Sequence, residues 1–268
     1  MLQGRRWFVV VAPLMVVSAV LAGCSSSSKT TTSATTTAAG PTGSITVSAA
    51  ASLTGTFTAL GKSFQTAHAG TTIHFNFGSS AALVTQIQQG APADVFASAS
   101  KATMESLVSS GNITGDPTVF ARNQLELVVK PGNPLGITSL TDLTKAKTVA
   151  LCAETAPCGA AAKTALAQAN VTLPESQISR GADVKATLSE VTTGDADVAV
   201  VYVTDAKTVG SAGQAVPIPD AQNVIAVYEI GQVKGTRNAD LAQAWIAYVT
   251  GPTGQAVLKA AGFLPPAA

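Results

Sequence analysis

Ser52 and the pair Ser79-Ser80 carry hydroxyls where a β-branched or aromatic run gives way to a helical spacing. The chemistry such corners offer is capture of an anion. A strand's carboxyl end there meets a helix's amino end, whose first N–H groups lack intrahelical partners and whose dipole is positive. Around Ser52 the sequence reads Ile45-Thr46-Val47-Ser48-Ala49-Ala50-Ala51-Ser52-Leu53-Thr54, and its three alanines let a ligand approach the backbone. One serine so placed is a weak signal, because its common role is to cap a helix. The device recurs, however. Gly78-Ser79-Ser80 follows the alternating run Ile73, Phe75, Phe77. Ala156-Pro157-Cys158-Gly159 follows Thr148–Cys152, with Pro near a helix start.

Residue patterns for catalysis are scarce. There is no G-x-S-x-G elbow, H-E-x-x-H pair or Walker loop. Ser98-Ala99-Ser100-Lys101 has the S-x-x-K spacing without a companion S-D-N or K-T-G, so an exported serine hydrolase using Ser98 and Lys101 stands only as an alternative. Zinc is disfavoured, since His68 and His74 lie away from the cysteines. Asp94, Asp116, Asp195 and Asp197 are scattered at strand starts and turns, where acids cap. These patterns point to binding, with no catalytic residues.

The elements that must position the corners alternate between strand and helix, which predicts α/β layering on a largely parallel sheet. Leu53, Phe57, Leu60 and Phe64 mark one helix face. Leu83, Val84 and Ile87 mark a second, stopped by Gly90, and Met104, Leu107 and Val108 a third, ending at Gly111. Strands are predicted at Asp94–Ser98, Leu125–Val129, Thr148–Cys152, Ala196–Val201 and Asn223–Ile230. A short helix is predicted near Ser139–Leu143, an Ala-rich helix through Ala169, and one capped by Asp183 that carries Val184, Leu188 and Val191. Two more start at Asp240 and Thr253, separated by Gly251-Pro252, and their aromatics Trp245 and Tyr248 are core candidates.

A length of 268 residues with 46% hydrophobic content supports one large or two modest domains. The formal charge of +1 and the lack of a basic cluster argue against nucleic acid. Arg5-Arg6, the apolar run Trp7–Leu21 and the box Leu21-Ala22-Gly23-Cys24 resemble a bacterial lipoprotein signal. That reading removes 1–23 as a signal peptide and leaves Cys24 as a lipidated amino terminus. Residues 24–43, rich in Ser and Thr, read as a flexible tether. The protein is then extracytoplasmic, lipid-anchored to the outer face of the cell membrane. Cys152 and Cys158, six apart in an oxidising compartment, read as one short-loop disulfide; two buried thiols are the alternative.

Four segments carry a resemblance to the periplasmic molybdate-binding proteins of ABC importers, within the type II solute-binding proteins. They are Ala49-Ala50-Ala51-Ser52-Leu53-Thr54, Phe77-Gly78-Ser79-Ser80 with Leu83, Gly90-Ala91-Pro92-Ala93-Asp94-Val95-Phe96, and Ala199-Val200-Val201-Tyr202 with Asp205. The similarity runs in matching order from Ser44 to Phe263. It implies a two-lobed α/β fold of the type II periplasmic-binding-protein kind, each lobe a mostly parallel sheet flanked by helices, with two interlobe crossings. Lobe one would take 44–122 and 223–268, and lobe two 123–222.

The resemblance further implies a molybdate or tungstate oxyanion with no cofactor and no direct metal ligand. Its donors would be the hydroxyls of Ser52 and Ser80, the backbone N–H groups of Cys158 and Val184, and the phenol of Tyr202. A monomer would deliver the anion to an ABC permease and its ATPase. The chain departs from the family at the third corner, where the family has Ala at the place of Cys158 and lacks the Cys152 partner. Since the implied contact is main-chain, the change need not remove it. A cage of donors alone would reject hydrogen phosphate, whose proton finds no acceptor. Sulfate, smaller than molybdate, would have to be excluded by cavity size. A receptor for sulfate or another oxyanion, and an adhesion or signalling lipoprotein without a small ligand, are the remaining alternatives.

Overall fold

The computed structural model describes residues 40–266. The expected signal peptide, Cys24 and most of the tether lie outside the described residues.

The first half is a run of strand–helix units. β1 (Gly43–Ala50) leads through a 3-10 turn at Ala51–Leu53 into α1 (Thr54–Ala67), and β2 (Thr71–Gly78) leads into α2 (Ser80–Gln88). β3 (Val95–Ser98), α3 (Lys101–Ser109) and β4 (Ile113–Asn123) follow. Then come β5 (Leu125–Val129), a 3-10 turn at Leu140–Lys145 and β6 (Val149–Cys152). A second run follows: α4 (Pro157–Gln168), β7 (Ile178–Gly181), α5 (Val184–Thr193), β8 (Val198–Tyr202), α6 (Val203–Ala206) and β9 (Gln214–Pro217). β10 (Ala226–Val233), α7 (Ala239–Thr250) and α8 (Pro252–Ala261) close the chain.

These strands make two five-stranded sheets of matching order, β2-β1-β3-β10-β4 and β7-β6-β8-β5-β9. In the first, β2, β1 and β3 pair in parallel and β10 runs antiparallel between β3 and β4. In the second, β7, β6 and β8 pair in parallel and β5 runs antiparallel between β8 and β9. All strands of each sheet but one therefore share a direction, as the mostly parallel prediction requires. The chain passes between sheets twice, at Asn123-Gln124 and between β9 and β10. Asn223 ties the two passages together: its Oδ1 accepts the Leu125 N–H at 2.9 Å and its Nδ2 donates to the Leu125 carbonyl at 2.8 Å. With Asn223 engaged in that clasp, β10 starts at Ala226, three residues later than the predicted Asn223.

β3 shows how one sheet serves two helical layers. Val95 and Ala97 face the core that holds Phe57, Phe64 and Trp245, while Phe96 faces Leu83, Met104 and Leu107 of α2 and α3. The aromatic side is interlocked, with Trp245 edge-on to both Phe57 and Phe64 at 5.6 Å. β4, β7 and β9 have no counterpart among the predicted strands. All three are sheet edges, with at most one face buried and polar or Pro residues interrupting the alternation.

The same acid device closes the end of each sheet away from the strands' carboxyl ends. Asp94, just before β3, accepts the Thr46 N–H of β1 at 2.7 Å and the Thr236 hydroxyl beyond β10. Asp197, just before β8, accepts the Lys147 and Thr148 N–H groups before β6 at 2.8 and 3.1 Å and pairs with Lys130 beyond β5 at 2.8 Å. Burial raises the Asp197 pKa, but the Lys130 bond and the two N–H bonds outweigh it and hold the carboxyl below its ordinary value of 3.8. A depressed folded-state pKa stabilises the fold above the unfolded value and loses that contribution as pH falls through the folded one. Urea unfolding of wild type and Asp197→Asn is therefore expected to converge as pH drops below 3.8, wild type being the more stable at neutral pH. A gap independent of pH contradicts this role.

Candidate oxyanion-binding site

Ala50, Gly78 and Ser98 end the parallel strands of one sheet, and Cys152, Gly181 and Tyr202 those of the other. A small cavity lies between these ends, lined by all five predicted residues: Ser52, Ser80, Cys158, Val184 and Tyr202. Crevices outside strand carboxyl ends are where open α/β sheets bind ligands.

Each donor owes its freedom to the local sequence. Ser52 sits inside the 3-10 turn that small alanines permit, and its Oγ lies 2.8 Å from the Tyr228 hydroxyl. Ser80 opens α2, and its Oγ accepts the Ala99 N–H at 3.1 Å, which leaves its own proton to donate. α4 begins at Pro157, which has no N–H, after Ala156, which offers no side-chain cap; the Cys158 N–H is among the helix's orphan donors. Asp183 caps α5 by accepting the Lys185 and Ala186 N–H groups at 2.9 and 3.0 Å. It leaves the Val184 N–H at the first helical position.

Tyr202 is the most telling member. Its side chain is 1% exposed, yet its hydroxyl has no hydrogen-bond partner among the described residues. Burial, then the neighbouring Tyr228 and Asp205, drives its pKa far up, so it is a neutral donor. A buried hydroxyl without a partner is unfavourable by about 1–3 kcal/mol, and Tyr202 lines the cavity, so an acceptor bound there would relieve that cost.

No Lys or Arg lines the cavity among the described residues. The nearby cation is committed: Lys185 Nζ lies 2.8 Å from Oδ1 of the fully buried Asp205. Burial raises the Asp205 pKa, with Lys185 opposing. Asp183 was legible as a cap but not as part of the wall, and its carboxylate is the one acid bordering the cavity. No cluster of three or more His, Cys, Asp or Glu suited to a metal occurs among the described residues.

Cys152 and Cys158 are joined in the structure, their Cα atoms 5.8 Å apart, so the bond closes the loop that presents the Cys158 N–H. Gly159 shows how close that loop runs to its neighbours, since a Cβ there would meet the Ala153 carbonyl oxygen at 2.1 Å. The Ser98–Lys101 alternative has no geometry behind it. Ser98 is fully buried, its hydroxyl donates to the Ser100 carbonyl at 2.8 Å, and Lys101 points to solvent.

Two lobes on matching sheets, with uncharged donors gathered in the cleft between them, define a solute-binding protein. The chain belongs to the bacterial extracellular solute-binding protein family, whose pattern spans residues 45–264. It is a binder of solutes and not an enzyme. It is similar to the molybdate-binding protein ModA of Mycobacterium tuberculosis, 40% identical over 232 residues that cover 85% of this chain and 88% of that one. It shares its fold with the periplasmic molybdate-binding protein of Azotobacter vinelandii (TM-score 0.74, 24% identity, 83% of this chain and 100% of that one). The sulfate-binding protein SubI of Mycobacterium tuberculosis has the fold too (TM-score 0.76, 20% identity, 83% and 86%).

The unpartnered phenol yields a test that needs no ligand. Tyr202→Phe should leave the ligand-free protein as stable as wild type, or more stable by up to about 1–3 kcal/mol, in urea unfolding. Marked destabilisation means the hydroxyl has a structural partner.

Proposed function

We propose that this chain is a lipid-anchored, extracytoplasmic receptor that captures molybdate, and tungstate with it, between its lobes and delivers the anion to an ABC permease driven by its ATPase. The observation that carries the reading is the convergence of five donors on one cavity, one of them a buried hydroxyl with nothing to bond. A dianion withdrawn from water is tolerable only if its oxygens are hydrogen-bonded. N–H and O–H bonds to an ionised acceptor are the stronger kind. Relatives that carry molybdate in their names supply the choice of anion.

Lobe one comprises 44–122 and 223–268, and lobe two 123–222, with the anion bridging them as they close about the crossings. The protein works as a monomer, held by acyl chains on Cys24 through the 24–43 tether after removal of residues 1–23. A neighbour named for sulfate shares the fold, so sulfate is the second reading. Calorimetry on ligand-stripped protein with molybdate, tungstate, sulfate and phosphate separates the two. Binding of molybdate and tungstate is expected, and binding of sulfate alone overturns the first reading. Ser80→Ala and Tyr202→Phe should each weaken the bound anion by about 1.5–3 kcal/mol; unchanged affinity in both moves the site elsewhere.

The exported domain carries the Cys152–Cys158 disulfide, which orders the third corner before the anion arrives and so reduces the ordering penalty of binding. Intact-mass measurement with and without reductant should show one crosslink, and two alkylatable thiols in unreduced protein refute it.

A further inference from the structure

A cage whose donors include hydroxyls has a weak point in them, because each can accept a hydrogen bond as readily as donate one. Whether Ser52 donates to the anion depends on what stands behind it. Ser52 Oγ has one partner among the described residues, the Tyr228 hydroxyl at 2.8 Å. Tyr228 is fully buried, and burial holds its phenol far above its ordinary pKa, so it keeps its proton. Its oxygen also lies 3.4 Å from Asn123 Nδ2.

The amide of Asn123 has only one workable orientation. The Gln124 N–H, which can only donate, points at Oδ1 at 3.0 Å. The amide nitrogen must then face the other way, where it meets the Thr204 hydroxyl at 2.8 Å as well as Tyr228. Asn123 is wholly buried and stands at the first passage between the sheets.

We propose that Asn123 and Tyr228 are positioning residues forming a one-way relay, Asn123 N–H to Tyr228 O–H to Ser52 O–H, that turns Ser52 into an obligate donor toward the anion. Direction is the content of the relay. With Asn123 donating, the Tyr228 proton turns to Ser52, and the Ser52 proton has only the cavity left. Ser80 is polarised the same way in one step by the Ala99 N–H. The relay thereby supplies the selectivity against singly protonated anions that hydroxyls alone would not give. It also ties one donor to a crossing strand and, through Thr204, to α6 beside Tyr202.

The inference rests on the anion reading of the cavity, and its test is built to fail separately. Calorimetry with molybdate, tungstate, sulfate and phosphate on wild type fixes which anion is followed. Asn123→Asp replaces the donor by an acceptor and reverses the chain: Tyr228 donates backward, Ser52 donates to Tyr228, and the anion loses a bond. A loss of about tenfold to a hundredfold is expected. Added negative charge alone would also weaken binding, so Asn123→Asp is paired with Asn123→Asp/Tyr228→Phe. The double variant keeps the charge but cuts the chain, and should recover about tenfold of the loss.

Tyr228→Phe alone frees the Ser52 hydroxyl to accept, so phosphate should compete more strongly against the bound anion than in wild type. A double variant no better than Asn123→Asp overturns the relay while leaving the site intact. If Asn123→Asp fails to fold, phosphate competition in Tyr228→Phe no stronger than in wild type overturns it equally. A wild type that takes none of the four anions ends both the reading and the relay.

Discussion

A polar group kept from water must find a partner, and the layout of this protein follows from where that rule is met and where it is suspended. At the end of each sheet away from the cleft it is met in full. Asp94 and Asp197 occupy equivalent places, and each gathers the neighbouring strand's free N–H and a group from beyond the antiparallel strand. At the cleft end, Ser100 and Asp183 satisfy their helices, but Ala156 does not, and Tyr202 is left with nothing. Ala156 and Tyr202 both line one small cavity, with Ser52, Ser80, Cys158 and Val184. Free donors gathered at one place suit the proposed guest, one that accepts hydrogen bonds and needs no cation beside it.

Much of this was legible before any coordinates. Repeated hand-over from β-branched runs to helical spacing marks strand carboxyl ends, and the hydroxyls and small residues there mark exposed backbone, so Ser52, Ser80 and the Cys158 corner stood out. Val184 and Tyr202 did not. A valine that works through its backbone and a tyrosine ending an apolar strand have the pattern of ordinary core, and only family resemblance drew them in. The edge strands β4, β7 and β9 were invisible for a related reason: where a strand buries little, its side chains carry no alternation to read. Asn123 left no trace at all, since the value of its amide lies in partners 81 and 105 residues away.

The two sheets share an order and an antiparallel insertion, but obtain the inserted strand differently. β5 arrives in the second sheet before its parallel strands are made, whereas β10 reaches the first sheet after the second is complete. The exchange creates the two passages that Asn223 clasps to each other. It also puts the first passage at Asn123, the residue from which the proposed donor relay starts.

That arrangement sets a schedule for folding. β10 lies between β3 and β4, so the amino-terminal sheet stays split until residues 226–233 arrive, although its other strands are all made by residue 123. The later sheet has every strand it needs by residue 217. The half that is synthesised first is therefore finished last, and the edges of β3 and β4 stay open in an emerging chain until β10 has emerged.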